Sequence, residues 1–328
     1  MLLLGILWVI LFWYLRNPVF RLSGGLETLG VSGQIGGIEV DKARLEGHVK
    51  FLSGLQPARS PANAESMKKA ERYVQSQFQE MGMTLRLQDV PSEGHVYHNI
   101  IARLGPKKTE DLVVVGAHLD VAGDLPGADD NASGVAGLIE LARLFTTYTD
   151  RLERPIEFVA YALEEPPYFG TRAMGSAVHA DALKAQAAEV KLMISLEMIG
   201  YFTDASMSQR FPSAILYGFY PWRGNFIAAV GSPAGREAIA AFKTAFQKFT
   251  ALPLYTINVP SFVPGVDFSD HRNYWTHGWP ALMVTDTAFY RNDEYHKAGD
   301  TADRLDFAKM ADVVRGTFGA VLAAAGKK

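Results

Sequence analysis

The sequence predicts an α/β domain in which helices cover both faces of a mixed, largely parallel central sheet, a three-layer α/β/α arrangement. Short apolar and β-branched runs, typical of buried strands, alternate with longer segments whose apolar residues recur at helical spacing. Such alternation favours parallel strands joined by helical crossovers, which bury both faces of the sheet. The apolar share of 48% is that of an ordinary globular protein.

Helical periodicity defines the predicted helices. In residues 61–83, the clearest case, Met67 and Val74 belong to one apolar stripe. Pro61 suits the first turn of that helix. The predicted helices cover residues 41–55, 61–83, 133–148, 173–188, 233–249, 270–277 and 307–325.

Apolar runs bounded by turn residues define the predicted strands. These strands cover residues 84–90, 98–104, 112–119, 155–163, 190–198, 254–258 and 281–285. The run at 254–258 is expected at an edge of the sheet, and the charged segment 107–111 is predicted to be a hairpin turn. Residues 203–224 are aromatic and rich in proline, without a clear period.

The first 16 residues are predicted to be a hydrophobic membrane anchor or signal segment. Residues 2–15 are almost wholly apolar, and as a helix they span about 21 Å, short of the ~30 Å core of a bilayer. A signal peptide lacks support from a basic start or a clear cleavage site, and a third interpretation is a segment docked on the domain. Residues 17–39 are predicted to be a linker, and residues 40–328 one domain.

Charge and cysteine content exclude some functions. The net charge of −3 gives no sign of a nucleic-acid partner or of binding to an anionic surface. The chain has no cysteine, which excludes disulfides and thiolate-bound zinc. Any metal must therefore be held by histidine and carboxylate side chains. The oligomeric state is not indicated.

Potential metal ligands follow several of the predicted strands. They are His118, Asp130, the pair Glu164–Glu165, Glu197 and His296. The carboxyl ends of parallel strands meet at one edge of a sheet, so these side chains are expected to share a site. One shared carboxylate, with an imidazole and a carboxylate for each ion, is the ligand set that a two-metal hydrolytic centre needs.

Each of these residues also has an ordinary explanation when taken alone. His118 could be a satisfied core histidine, and Asp129–Asp130 could cap a helix. Glu164–Glu165 could lie in a solvated loop, and Glu197 could pair with a buried arginine. Their joint placement at one sheet edge favours the metal site. Asp120, two residues after His118, is expected to accept a hydrogen bond from its imidazole.

Five motifs in order carry a resemblance: HLD…PGADDNASG, LEE, SLEMIG, SDH, and TDTAFYR…YH…DT. Together they resemble the co-catalytic zinc aminopeptidases of peptidase clan MH, the relatives of bacterial leucyl aminopeptidase, glutamate carboxypeptidase and glutaminyl cyclase. The resemblance covers about residues 40–325 and implies a zinc-peptidase fold, with 40–328 as the catalytic domain.

The resemblance implies a role for each ligand. His118 and Glu197 would bind one zinc, and Glu165 and His296 the other. Asp130 would bridge the two ions, with Asp129 only its neighbour. Glu164 would be the general base, and Asp120 would support His118. Zinc is the implied metal, although cobalt and manganese accept the same ligands.

Two positions depart from the secreted leucyl aminopeptidases. Those enzymes carry Asp where this chain has Glu197. They also have a tyrosine that helps to hold the oxyanion where this chain has Val266. His271, Tyr274 and Tyr290 are the candidate substitutes for that tyrosine.

The implied activity is that of a metal-dependent exopeptidase that removes N-terminal residues through a two-zinc bridged hydroxide, with a glutamate as general base. Asp267, Asp270 and Asp286 are candidates to bind the free amine of the peptide substrate. The aromatic segment 211–226 is expected either to cap the site or to pack in the core. The domain is expected to be attached to a membrane and extracytoplasmic, although Arg16 and Arg21 favour the opposite side.

Four other functions compete. A glutaminyl-cyclase-like acyltransferase would use the same scaffold, but Asn131 stands where cyclases commonly have serine. A carboxypeptidase is a further alternative. A non-catalytic ectodomain, as in transferrin receptors, would have lost metal ligands that this chain retains. A serine hydrolase lacks support because the chain has no GxSxG motif.

Overall fold

An eight-stranded mixed sheet forms the centre of the fold. The computed structural model of the protein describes residues 38–92, 94–107 and 110–326. The strands are β1 (Thr84–Ser92), β2 (His95–Leu104), β3 (Leu112–His118), β4 (Ile156–Tyr161), β5 (Val190–Leu196), β6 (Ile227–Gly231), β7 (Leu254–Asn258) and β8 (Ala281–Thr285). Their order in the sheet is β1-β2-β4-β3-β5-β8-β6-β7.

Strands β4, β3, β5 and β8 are parallel neighbours and form the middle of the sheet. β2 pairs antiparallel with β4, and β6 pairs antiparallel with β8. The carboxyl ends of the four parallel strands therefore lie at one edge, where α/β proteins bind their ligands. The predicted edge position of residues 254–258 is confirmed, because β7 pairs with β6 alone.

Helices cover both faces of this sheet. They are α1 (Lys42–Ser53), α2 (Ala64–Glu80), α3 (Gly134–Thr146), α4 (Gly175–Ala185), α5 (Arg236–Phe246), α6 (Arg272–Trp275) and α7 (Phe307–Ala325). Alternate residues of β3 point to opposite faces, as strand geometry requires. Val113 and Val115 pack in the same apolar cluster as α3 and α7, whereas Leu112 and Val114 pack with residues of α4. The predicted three-layer α/β/α class is thus confirmed.

Two predictions about the strands are wrong. The sequence reading missed β6, because its five residues, IAAVG, are mostly small and lack the β-branched pattern of a strand. The segment 107–111 is not a hairpin turn, since β2 and β3 do not pair with each other. β4, which comes later in the chain, instead lies between these two strands in the sheet.

The predicted anchor and most of the predicted linker lie outside the described residues, so both stay predictions. Within the described part of the chain, no helix is both long and apolar enough to cross a bilayer.

Candidate metal centre

His118 ends β3 and is almost completely buried, with 1% of its surface exposed. Its Nδ1 lies 3.2 Å from the main-chain oxygen of Asp120. A carbonyl oxygen can only accept, so Nδ1 carries the proton and Nε2 keeps its lone pair. Nε2 faces two carboxylates, Asp130 Oδ1 at 3.2 Å and Glu197 Oε2 at 3.3 Å. This tautomer suits a histidine that binds a cation through Nε2.

Asp130 lies between two imidazoles. Its Oδ1 faces His118, and its Oδ2 lies 3.1 Å from Nε2 of His296. The same nitrogen of His296 lies 3.1 Å from Oε2 of Glu165. Ligand atoms of His118, Asp130 and Glu165 all fall within 4.8 Å of one another. One carboxylate therefore separates two groups of metal-binding side chains.

The paired glutamates follow β4, and Asp120 positions both of them. The backbone amides of Glu164 and Glu165 each donate to one oxygen of the Asp120 carboxylate, both at 3.0 Å. The nearest Asp120 carboxylate oxygen lies 3.6 Å from His118 Nδ1, so the expected hydrogen bond to the imidazole is corrected. Asp120 instead supports the histidine through its main-chain oxygen. A carboxylate has two acceptor oxygens, so it can accept hydrogen bonds from two successive amides at a tight turn. This explains why the Asp120 carboxylate binds the backbone of the two glutamates and not the imidazole.

The Glu164 carboxyl is buried against other acids. Burial raises its pKa well above the usual value, and the charges of Glu165 and Glu197 add to this, against the lowering effect of His118. Burial and the charge of Asp130 likewise raise the pKa of Glu165 to about 7. Closely packed carboxylates of this kind ionise together only when cations compensate them.

Glu197 follows β5 and is oriented by a pair of serines. Ser269 Oγ donates to Glu197 Oε2 at 2.7 Å, and Ser195 Oγ lies 2.8 Å from Ser269 Oγ. Ser269 belongs to the SDH motif, which the sequence analysis singled out without a role for the serine. The carboxylate is thereby fixed with its other contact toward His118.

Left-handed backbone conformations flank the site. Leu163 before Glu164 has a φ of 61°, Met198 after Glu197 has 51°, and His296 itself has 54°. Such conformations cost non-glycine residues of the order of 1–3 kcal/mol and cluster where geometry serves a function. The backbone therefore turns sharply at three of the places that supply acidic or imidazole groups.

Two of the predicted substrate-binding residues, His271 and Asp286, are fully buried. His271 is fully buried, its Nε2 lies 2.8 Å from the main-chain oxygen of Val266, and burial lowers its pKa to about 4. Asp286 is fully buried and accepts from the amides of Tyr201 and Ala288. The prediction for Asp286 is corrected, because both of its oxygens accept hydrogen bonds from backbone amides. His271 stays a candidate, since its Nδ1 has no hydrogen-bond partner among the described residues.

Asp270 and Asp267 differ in their contacts. Asp270 is fully buried, and burial raises its pKa to about 7, with Glu197 and Asp120 contributing. The Asp267 carboxylate pairs with Arg272 at 3.3 Å. The prediction for Asp267 is thereby corrected, because its carboxylate is paired with an arginine. Asp270 stays a candidate, since both of its carboxylate oxygens lack a hydrogen-bond partner among the described residues.

The candidates for the oxyanion tyrosine differ in position. Tyr274 is fully buried, and its hydroxyl lies 2.7 Å from that of Tyr161. Tyr290 lines the open cleft, where its hydroxyl donates to the Pro264 oxygen at 3.2 Å. Tyr295, which sequence reasoning missed, also lines the cleft.

Tyr295 contacts one of the metal-binding side chains. Its ring stacks on that of His296, with the ring centres 3.9 Å apart and the planes 17° from parallel. Burial raises the pKa of its hydroxyl, and four carboxylates, Asp130, Glu165, Glu197 and Glu164, raise it further. The phenol therefore keeps its proton and remains a hydrogen-bond donor. Its signal in the sequence was the YH pair, of which only the histidine was used.

A deep apolar cleft adjoins Glu197 and Tyr295. It has about 880 Å³ of open space, mouth included. Its walls come from the segment 209–230, from β7 and β8, and from residues 263–268 and 287–295. Most of the lining side chains are aliphatic or aromatic, among them Phe226, Met283 and Val266. The aromatic segment 211–226 therefore lines a cleft beside the site rather than only packing in the core.

The donor set fits divalent cations. Five carboxylates and two imidazoles form one cluster, in which all but the partly exposed His296 are buried: Asp120, Asp130, Glu164, Glu165, Glu197, His118 and His296. Among the described residues, Glu165 Oε1 and His296 Nε2 are buried polar atoms without a hydrogen-bond partner. Oxygen and imidazole nitrogen atoms of this kind are the ligands that zinc takes in hydrolases.

Two imidazoles and several carboxylates gathered at the carboxyl edge of a mixed sheet are the ligand set typical of metal-dependent hydrolases. The model of Peptidase family M28 matches residues 99–321, more than half of the chain. The chain therefore belongs to peptidase family M28 and is a peptidase. The resemblance to clan MH is thereby confirmed.

Relatives agree with this assignment. The chain is 47% identical over 281 residues to the uncharacterized protein YfbL of Escherichia coli K12, covering 83% of this chain and 85% of YfbL. It is 27% identical over 252 residues to the probable aminopeptidase YDR415C of Saccharomyces cerevisiae, covering 73% of this chain and 60% of the yeast protein. The fold matches the crystal structure of the Legionella pneumophila LapA aminopeptidase with a TM-score of 0.70 and 20% identity, over 88% of this chain and 73% of that one.

Proposed function

We propose that the protein is a two-zinc aminopeptidase that removes large apolar residues from the N-terminus of peptides. One observation carries the proposal: the two oxygens of Asp130 face two different imidazoles, at 3.2 and 3.1 Å. A carboxylate shared in this way is what holds two cations next to each other. Family membership supports peptides as the substrate class.

His118 and Glu197 would hold one ion, and Glu165 and His296 the other, with Asp130 between them. Bound cations would polarise the scissile carbonyl and lower the pKa of a water molecule to about 7. Cobalt and manganese accept the same ligands. In the described part of the chain, the Glu164 carboxylate forms no hydrogen bond, although its own amide is bound by Asp120. It is thus free to move a proton.

Glu164 would act as the general base and then as the acid. Its carboxylate takes a proton from the attacking water and passes it to the nitrogen of the leaving peptide, which can then depart as an amine. A raised pKa suits this double task, because a more basic carboxylate takes a proton from water more readily and holds it until the nitrogen takes it.

Tyr295 would hold the oxygen of the scissile carbonyl as negative charge develops on it. Its hydroxyl remains protonated, and its ring is fixed by stacking on His296. A donor fixed in place before the reaction costs little reorganisation when charge appears. Tyr295 would then do what the tyrosine at the position of Val266 does in the leucyl aminopeptidases that this chain resembles.

Replacing Tyr295 with Phe is expected to lower kcat by about 10²–10³-fold, the usual cost of removing one oxyanion donor, with little change in KM. Metal content should stay at the wild-type level, because the phenol is not a ligand. Tyr290→Phe is the matched control, since its hydroxyl lines the same cleft but is bonded to the Pro264 oxygen. Steady-state kinetics on an aminoacyl-arylamide test this, and wild-type kcat in Tyr295→Phe would rule out the role.

The apolar cleft would receive the side chain of the N-terminal residue. Four buried apolar side chains line it: Ala228 and Val230 from β6, Met283 from β8, and Phe226, which precedes β6. A large apolar side chain buried there gains roughly 1.5–3 kcal/mol, which a small or charged one does not. Exposed apolar side chains, among them Ile215 and Phe262, flank lining residues of the cleft.

The cleft argues against a carboxypeptidase. A C-terminal carboxylate needs an available cation, and Arg210 is the cation among the described lining residues. Its guanidinium already donates to the Asp293 carboxylate and to the Phe289 oxygen, both at 2.6 Å. The Arg210 guanidinium would have to break both of these hydrogen bonds before it could bind the carboxylate of a substrate.

A substrate panel tests the proposed function. The purified, zinc-loaded protein is offered arylamides of Phe, Leu, Ala, Glu and Lys, the same Phe compound with an acetylated amine, a peptide with C-terminal Glu, and a peptide with N-terminal Gln. We expect kcat/KM to be highest for Phe and Leu and to vanish on acetylation. Release of the C-terminal residue, or cyclisation of Gln without hydrolysis of the arylamides, would contradict the proposal.

A further inference from the structure

The loop from Pro126 to Asp130, called the bridge loop below, carries the carboxylate that lies between the two imidazoles. Its backbone is held by two buried side chains that approach from different parts of the chain. Arg59 binds its carbonyl oxygens, and Asp300 binds its amides. Neither residue belongs to the metal-binding cluster itself.

Arg59 holds the beginning of the bridge loop. Its side chain is 1% exposed, and its guanidinium donates to the main-chain oxygens of Pro126 at 2.8 Å and Gly127 at 2.6 Å. A third bond, at 2.8 Å, goes to the oxygen of Leu119, the residue after His118. The planar fork of one arginine thus fixes the bridge loop relative to the end of β3.

Asp300 holds the end of the bridge loop. Its two carboxylate oxygens accept from the amides of Asp129 at 2.9 Å and Asp130 at 3.0 Å. Its main-chain oxygen accepts from the amide of Ala128 at 3.1 Å. Asp300 follows His296 by four residues, so these bonds tie the loop of one imidazole to the carboxylate between both.

Gly127 occupies a tight position in the bridge loop, close to the backbone of Asp130. Its φ of 57° lies in the left-handed region, and a Cβ atom at this position would come within 2.3 Å of the Asp130 main-chain oxygen. Only glycine fits such a conformation and such a close approach. A substitution of Gly127 would therefore displace the backbone that carries Asp130.

We propose that Arg59 and Asp300 are positioning residues that make the metal centre dinuclear, by fixing Asp130 so that each of its oxygens serves a different ion. This inference rests on the proposed function, since it needs the cluster to bind metal. A loop released from either side chain would let the carboxylate turn toward one imidazole and away from the other. One ion would then still be held by its own histidine and glutamate, and the second would bind weakly.

Asp300→Asn tests the inference most sharply. Both carboxylate oxygens accept an amide, so the NH₂ group of Asn must face a backbone N–H. We expect the affinity for the second ion, measured by chelator competition on the full-length protein, to fall by about 10–100-fold, as losses of such supporting contacts do. The electron paramagnetic resonance spectrum of the Mn²⁺-loaded variant should show an isolated ion where the wild type shows a coupled pair.

Asp306→Asn is the matched control. Asp306 also accepts two successive backbone amides, but through Oδ1 alone and at the start of α7. An asparagine there keeps its acceptor oxygen, so both metal affinities and the coupled spectrum should be unchanged. Circular dichroism of the metal-free proteins records whether each variant is folded.

Arg59→Lys provides a second, independent variant. It keeps the buried positive charge but not the fork that reaches several carbonyl oxygens, so the same loss of coupling is expected. If Asp300→Asn does not fold, Arg59→Lys tests the positioning role in its place. Folded variants that bind two ions with wild-type affinity and a coupled spectrum would overturn the inference. A wild-type protein that binds no metal would overturn the proposed function instead.

Discussion

Glu164→Gln is expected to lose about 10²–10⁴-fold in kcat, the usual contribution of a general base, while its metal content stays at the wild-type value. The amide has the shape of the carboxylate but cannot take a proton from water. The Glu164 side chain is not expected to be a ligand, because its neighbour Glu165 is the one that contacts His296. The measurements are single-turnover hydrolysis of a Phe arylamide and metal analysis of the same sample.

Glu71→Gln is the control for this substitution. Glu71 is equally buried, at 3% exposed, and its carboxylate is bonded to His98, in a part of the fold that does not line the cleft. Its replacement should lower stability without changing kcat. Wild-type turnover in Glu164→Gln would remove Glu164 from the reaction, and loss of metal from that variant would reassign it as a ligand.

Asp130→Asn is expected to have the largest effect on metal binding. The NH₂ group would point at one of the two imidazoles, so one of the ions loses its shared ligand. We expect one bound ion or none per chain. Activity should fall by about 10²–10⁴-fold or more, because both the nucleophile and the polarised carbonyl depend on the pair of ions. Equilibrium dialysis against Zn²⁺ measures the stoichiometry.

The neighbouring acid gives a sharp control. Asp129 accepts from the amide of Gly200 and from the side chain of Asn292, and it faces away from both imidazoles. Burial and the nearby Asp286 raise its pKa well above the usual value. An asparagine there loses one of these two accepted hydrogen bonds, but neither donor belongs to the metal-binding cluster. Asp129→Asn should bind two ions. The opposite pattern, with metal lost from Asp129→Asn and kept in Asp130→Asn, would show that the bridge has been assigned to the wrong residue.

The sequence predicted the parts of the fold and site that depend on chain order and residue type. Buried strands such as β3 have a clear apolar pattern, and ligands that follow parallel strands must meet at one edge. This reasoning brought His118, Glu165 and Glu197 together before any geometry was known. β6 was missed because its five residues are mostly small and have no clear strand pattern, and they pair with β8 only in the tertiary structure.

Side-chain direction could not be predicted. Asp286 was expected to face a substrate, but its oxygens are used by backbone amides of a turn. Arg59 carried no signal at all, since it binds main-chain oxygens and such acceptors exist at every residue. Tyr295 was adjacent to a predicted ligand, yet only the structure shows that its ring stacks on His296. The positions of the site residues in the fold could be predicted from chain order and residue type. The orientations of their side chains could be seen only in the packed structure.

X-ray diffraction from crystals of the zinc-soaked protein, collected at the zinc absorption edge, tests the central claim most directly. We predict two anomalous peaks per chain, about 3.5–4 Å apart, one on each side of the Asp130 carboxylate, with His118 beside one and His296 beside the other. A single peak, or peaks away from these side chains, would contradict the two-metal account.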